Sequence, residues 1–199
     1  VNMRISDILQ NKNTGPLTEH ELKLLKSCTQ FLHESCGQPL LKNLSPTYNN
    51  FAKVKVRFHG RRDAFIDTFN EALEDKFNVS NLHQRAIFAN GIKSFAVNEG
   101  AEAFYIFPKN GYNFMYSKEV VNSNVEYKHT FENLFEQFGE DGDHVATIVA
   151  DLLQYTYTSV ALNEGINVGA EIILYNVPFY YAVKQSTVEN YQSLLSLLK

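Results

Sequence analysis

Apolar residues along the chain fall into stretches of two periods. Leu22, Leu25 and Leu32, flanked by Leu24, Cys28 and Phe31, form a stripe at helical spacing. Thr18 and Glu21 precede it as a capping box: the threonine hydroxyl accepts from the third helical amide and the glutamate reaches back. Gly37 and Pro39 end the predicted helix. Lys53 to Phe58 alternates strictly and predicts a strand with one buried and one solvated face. From Asp63 the period changes, and Phe65, Phe69, Ala72, Leu73 and Phe77 share one helical face.

Short strand-like runs follow at Ala86 to Ala89, Ala103 to Phe107 and Asn113 to Tyr116, with Asn110-Gly111 as a hairpin signal between the last two. Tyr127, Phe131, Leu134, Phe135 and Phe138 predict a second long helix with a core-facing stripe. Gly139 to Gly142 breaks it, and Asp143 is placed to cap a further helix carrying Val145, Ile148, Val149 and Leu152. Glu171 to Tyr175 and Phe179 to Val183 read as strands joined around Asn176-Val177-Pro178. A last amphipathic helix carries Val188, Tyr191, Leu194, Leu195 and Leu198. Strands and helices do not alternate as in a doubly wound sheet, so the predicted class is α+β. Residues 1–16 read as a polar arm ending in Gly15-Pro16, and 17–199 as a single domain.

Composition adds constraints. Hydrophobic residues make up 44% and charged residues 20% of the 199, the balance of a globular domain. Fifteen Phe and eleven Tyr with no Trp predict an aromatic core. A net charge of −4 argues against a nucleic-acid coat acting through bulk positive charge. No apolar run approaches the roughly 18 residues of a membrane span, so no membrane partner is expected. Cys28 and Cys36 form neither a CxxC pattern nor a disulfide framework, which points to a reducing cytosol.

The common phosphate-loop, dinucleotide, esterase and zincin signatures are absent. The histidines are scattered, so no metal site is expected. Three features remain. Lys53, Lys55, Arg57, Arg61 and Arg62 cluster around His59-Gly60. Alternation puts Lys53, Lys55, Arg57 and His59 on one face, suited to a pyrophosphate, with a solvated edge strand the commoner use of such lysines. Glu171 opens a strongly apolar strand after Gly169-Ala170. It fits a carboxylate facing a developing sugar cation, or a solvated strand start. The run Arg85-Ala86-Ile87-Phe88-Ala89-Asn90-Gly91 continues into Ser94-Phe95-Ala96 and Phe104-Tyr105-Ile106-Phe107. It reads as strand, turn, short helical piece and strand, with Phe88 able to stack on a base or to fill a core.

Together these pieces resemble the ADP-ribosyltransferase fold. More narrowly, Val54 to Val120 and Glu171 to Tyr181 resemble small ADP-ribosyltransferase-like proteins of tailed bacteriophages. The resemblance implies two small packed, mostly antiparallel sheets with flanking helices. It implies a mono-ADP-ribosyltransferase that uses NAD to modify a host protein or nucleic acid. In that scheme Glu171 and His59 are catalytic. Lys42, Arg57, Arg61 and Arg62 hold the pyrophosphate or adenosine ribose, and Phe88 and Asn90 border the nicotinamide. Arg85 would fix the central strand through a carboxylate or serve structure alone. The implied location is the host cytoplasm, with the virion as a second one.

The chain departs from the family pattern. The expected Leu-Tyr-Arg-Gly motif falls at Pro39 to Asn43, where Lys42 stands for arginine and Asn43 for glycine. Lysine keeps the charge but loses the planar fork. No Ser-Thr-Ser triplet occurs, and Gly169 stands where a second acid would precede Glu171. The same resemblance therefore also implies an alternative: a catalytically inactive relative that binds a host or virion partner.

Overall fold

Thr18 Oγ1 accepts from the Glu21 amide at 3.3 Å, and Glu21 Oε2 accepts from the Thr18 amide at 2.7 Å. Helix α1 (Glu19–Lys26) therefore starts where the capping box predicts. It stops earlier than the apolar stripe suggests. The Ser27 hydroxyl donates back to Leu24 O at 2.6 Å, and Cys28 leaves helical geometry, so α2 (Thr29–Glu34) is a separate helix.

The protein is described by a computed structural model covering residues 16–56, 64–80, 82–138 and 142–199. After α2 come β1 (Leu40–Leu44), β2 (Phe51–Lys55), α3 (Ala64–Phe77) and α4 (Leu82–Arg85). Then follow β3 (Ile87–Gly91), β4 (Glu102–Pro108), β5 (Asn113–Ser117), α5 (Ser123–Phe138) and α6 (Gly142–Thr156). The remainder is β6 (Tyr157–Thr158), α7 (Leu162–Val168), β7 (Glu171–Tyr175), β8 (Phe179–Lys184), a 3-10 turn (Gln185–Thr187) and α8 (Tyr191–Leu198).

The class is α+β, with one antiparallel sheet in the order β2-β8-β4-β1-β3-β7-β5-β6 among the described residues. The expected pair of sheets is thus corrected to a single one. The physical reason lies at β1, which pairs with β4 over four residues and continues into β3 through Leu40 opposite Gly91 and Leu41 opposite Asn90. That short ladder joins two four-stranded halves.

Around β7, strand alternation feeds two cores, one on each face, whereas consecutive residues of β4 and β8 all join the first. Ile172 and Leu174 of β7 join Leu25, Phe31 and Leu194 under α1, α2, α7 and α8. Ile173 and Tyr175 join Phe69, Leu73, Val149 and Leu153 under α3, α5 and α6. Burial on both faces explains why β7 is apolar without alternation. Helix α7 sits directly on β3: a Cβ on Gly91 would lie 2.2 Å from Ile166 O, so only glycine fits there.

Several expected details differ. Asn110-Gly111 turns the chain, but β4 and β5 are not partners. The turn is tied to α2 instead: Asn110 Oδ1 accepts from the Gln30 amide at 3.0 Å, and the Gly111 amide donates to Gln30 Oε1 at 2.8 Å. Likewise β7 and β8 are consecutive but lie in opposite halves of the sheet. Residues 92–94 form a turn, and no short helix follows at Ser94 to Ala96. On α6 Leu153 is buried and Leu152 exposed, one position on from the expected stripe. On α5 Tyr127 is buried and Phe131 half-buried, while Phe135 is 44% exposed and so outside the core. Among the described residues no helix is long and apolar enough to cross a membrane. Of the predicted polar arm, residues 1–15 lie outside the described residues.

Candidate functional site: a buried charge pair on three neighbouring strands

Strands β1, β3 and β7 are neighbours, with Leu41 opposite Asn90 and Asn90 opposite Glu171. Lys42 follows Leu41, so Lys42, Asn90 and Glu171 come to one part of the sheet, where the charge on Lys42 reaches Glu171. Phe88 lies on β3 opposite Ile173, two residues before Asn90. Lys42 Nζ donates to Phe88 O at 2.8 Å.

Glu171 is 7% exposed. Its amide donates to Val120 O at 2.8 Å, and its Oε2 accepts from the Ser123 amide at 3.2 Å. Ser123 is the first residue of α5, so the carboxylate faces the positive end of a 16-residue helix. Asn90 Nδ2 donates to Val121 O at 2.8 Å. Glu126 Oε1 accepts from the amides of Val121 and Asn122 at 3.1 and 3.3 Å, which turns the chain into α5. Residues 118–122 are thus laced across the open end of β3 and β7.

Burial dominates the electrostatics. It pushes the Glu171 carboxyl above its ordinary 4.5, while the bonds from Ser123 and the charge on Lys42 pull it back, and Glu126 pushes it up again. Lys42 shows the mirror image: enclosure of its ammonium lowers it from 10.5 and Glu171 raises it. Part of the Lys42 residue reaches the surface, but its charged end lies in dense surroundings. In both groups desolvation outweighs mutual attraction, so each is held closer to its neutral form than in water. Tyr157 completes the cluster. Its phenol is buried, has no hydrogen-bond partner among the described residues, and is pushed upward by burial and by the nearby Glu171.

Of the residues singled out from sequence, Lys42, Phe88, Asn90 and Glu171 come together. Arg57, His59, Arg61 and Arg62 lie outside the described residues, so a cleft shared by His59 and Glu171 does too. Lys53 and Lys55 are exposed on β2, five strands from β7, or roughly 24 Å along the sheet at the usual strand spacing. They do not belong to the Glu171 cluster. Arg85 is exposed at the end of α4 and makes no ion pair with a described residue. Asn43, where the family motif has glycine, uses its side chain to hold a loop: Nδ2 donates to Ala96 O at 2.8 Å and Oδ1 accepts from the Asn98 amide at 3.2 Å.

Sequence reasoning missed Ser123, Glu126 and Tyr157. Ser123-x-x-Glu126 is itself a capping signature and could have announced the helix start that meets Glu171. Tyr157 carries no such local signal. Among the described residues, no group of three His, Cys, Asp or Glu could hold a metal ion. The arrangement can supply one carboxylate and one ammonium in a water-poor setting, where their fields act strongly. Comparison with family models, with curated proteins and with solved structures gives no match.

Proposed function

We propose that this chain is an ADP-ribosyltransferase-like protein of the bacteriophage type, using NAD as substrate to modify a host macromolecule. The observation that carries the reading is that Lys42, Asn90 and Glu171 stand on three adjacent strands, with Glu171 opposite Asn90 and within the field of the enclosed Lys42. These are the strands on which the resemblance puts its cation, its nicotinamide border and its glutamate.

In this reading the bond between nicotinamide nitrogen and ribose C1′ breaks, and nicotinamide leaves with the bonding electrons. Positive charge grows on the ribose, and the ionised Glu171 stabilises it while holding a ribose hydroxyl. The target's nucleophile then adds to C1′ and gives up its proton to water. Lys42 neutralises the pyrophosphate, and Phe88 and Asn90 border the nicotinamide. Entry of NAD requires the 118–122 segment to lift, which releases the bonds that Val120 O and Val121 O accept and the one that the Ser123 amide donates. The site of action is the host cytoplasm, with the virion as the second location.

The alternative is an inactive relative that binds a host or virion partner. It is favoured by the fact that the polar ends of the pair are already used internally, Lys42 on Phe88 O and Glu171 on the Ser123 amide.

Purified protein mixed with labelled NAD and host lysate separates the two. The enzyme reading expects label transfer or free nicotinamide. Glu171→Gln, nearly isosteric, should keep the fold and lower the rate by about 10²–10³, the usual effect of losing one preorganised electrostatic group. Absent turnover in the wild type, or unchanged turnover in Glu171→Gln, overturns it. If NAD binding is also absent, the inactive reading stands.

A further inference from the structure

The central site leaves the lysines of β2 without a role. Phe51, Lys53 and Lys55 lie opposite Val183, Tyr181 and Phe179 of β8, and residues opposite in register share a face. The rings form a row. Phe51 stacks on Tyr181 with centroids 5.6 Å apart, and Phe179 meets Tyr181 edge-on at 5.5 Å. Phe51 and Phe179 are half-buried, packed against the core and reaching the surface at the rim of the sheet.

Two lysines converge on one of these rings. Lys53 Nζ lies 4.0 Å from the Phe179 centroid, and Lys109 Nζ, arriving from the end of β4, lies 5.3 Å from it. Lys53, Lys55 and Lys109 are all exposed, and none makes an ion pair or hydrogen bond with a described residue. Edge protection accounts for lysines on an outer strand, but it does not call for half-buried aromatic rings at the surface beside them. Nor does it call for a third cation brought in from another strand. Converging like charges with no ion-paired carboxylate among the described residues leave a place for an anion, and flat rings alongside leave a place for a base.

We propose that this face binds single-stranded nucleic acid, with the three lysines on phosphates and Phe51 and Phe179 against bases. A cationic track beside sequence-tolerant stacking platforms is the pattern such binding uses. The lysines exchange a weak ring contact for a phosphate. The chain's net charge of −4 makes the contact local and sensitive to salt. This inference stands apart from the transferase reading, and failure of NAD cleavage leaves it untouched.

Fluorescence anisotropy with labelled single-stranded DNA and RNA of about 20 nucleotides tests it. Three phosphate contacts predict that affinity falls about 20-fold between roughly 50 and 200 mM salt. Replacing both Lys53 and Lys109 by Ala should flatten that dependence to about threefold, leaving one contact. Phe179→Leu keeps an apolar side chain and should weaken binding by about fivefold or more. Thermal melting reports whether each variant folds, and Phe51→Leu, half-buried at the rim, serves if Phe179→Leu does not. The proposal is overturned by absent binding at the lower salt, or by affinity unchanged in the lysine and ring variants alike. It is also overturned if polyglutamate competes as well as unlabelled oligonucleotide, since the face would then suit an acidic protein.

Discussion

The sheet carries its charges in two opposite ways. At its centre Lys42 and Glu171 are enclosed, and burial moves each toward its neutral form. At the β2 rim Lys53, Lys55 and Lys109 stand in water, two of them on the Phe179 ring. Solvent access, not the number of charges, decides what each group is worth. In the centre every charge depends on its partner, because removing one strands the other in a medium that solvates it poorly. At the rim water does the solvating, and any one lysine is nearly independent of the rest. The centre is therefore geometrically fixed, whereas the rim is free to rearrange around a ligand.

The largest effect that could break this contrast is on stability. Lys42→Ala should cost about 2 kcal/mol in urea unfolding, since it removes the bond to Phe88 O and takes the lysine's field away from the buried Glu171. Lys42→Met combined with Glu171→Gln should recover part of that, because no buried charge remains and the amide still accepts from Ser123. A double variant no more stable than Lys42→Ala would mean that the two groups are not coupled.

A smaller effect is expected from pH. The folded carboxyl of Glu171 titrates above its ordinary 4.5, so between the two values the folded state binds more protons than the unfolded one. Stability from this group is full below about 4.5 and falls as pH rises through the window, by at most about 1.4 kcal/mol per pH unit. Lys42, lowered from 10.5, acts in reverse, and its contribution grows as pH rises toward that value. Urea midpoints across mildly acidic to neutral pH, wild type against Glu171→Gln, isolate the first term. Parallel curves would show that Glu171 is not desolvated.

The smallest effect belongs to the rim. Lys53→Ala should change stability by about 0.5 kcal/mol or less, a shift of about 1–2 °C in Tm for a chain of this size. A loss several times larger would place Lys53 in the core's economy and remove the contrast.

What was legible in the sequence follows the range of the forces involved. The Thr18 capping box, the Phe65 to Phe77 stripe and the Val188 to Leu198 stripe are local, and each marks a helix that forms, although α1 ends at Lys26 and Val188 lies outside α8, which starts at Tyr191. Strand pairing is not local. Asn110-Gly111 has the chemistry of a hairpin, yet contacts with Gln30 and Thr29, some eighty residues away, decide where the chain goes next. Helix α7 was missed because Ala161 to Val168 is short and lacks a side-chain cap. At the site, Lys42, Phe88, Asn90 and Glu171 were found through motif resemblance. Tyr157 was not, because only tertiary packing brings its phenol near Glu171.

The strand order also bears on how the molecule comes to be folded. Strand β7 fits between β3 and β5, and β8 fits between β2 and β4, although both are translated after those four neighbours. At a typical synthesis rate of about 5–20 residues per second, the earlier strands wait seconds for the two that join them. Until residues 171–184 emerge, β2, β3, β4 and β5 each present unpaired hydrogen-bonding edges, the surfaces through which chains associate wrongly. Such distant pairings put the chain among slow folders. They also make the two late strands keystones: a polypeptide lacking them is left with separate fragments of sheet.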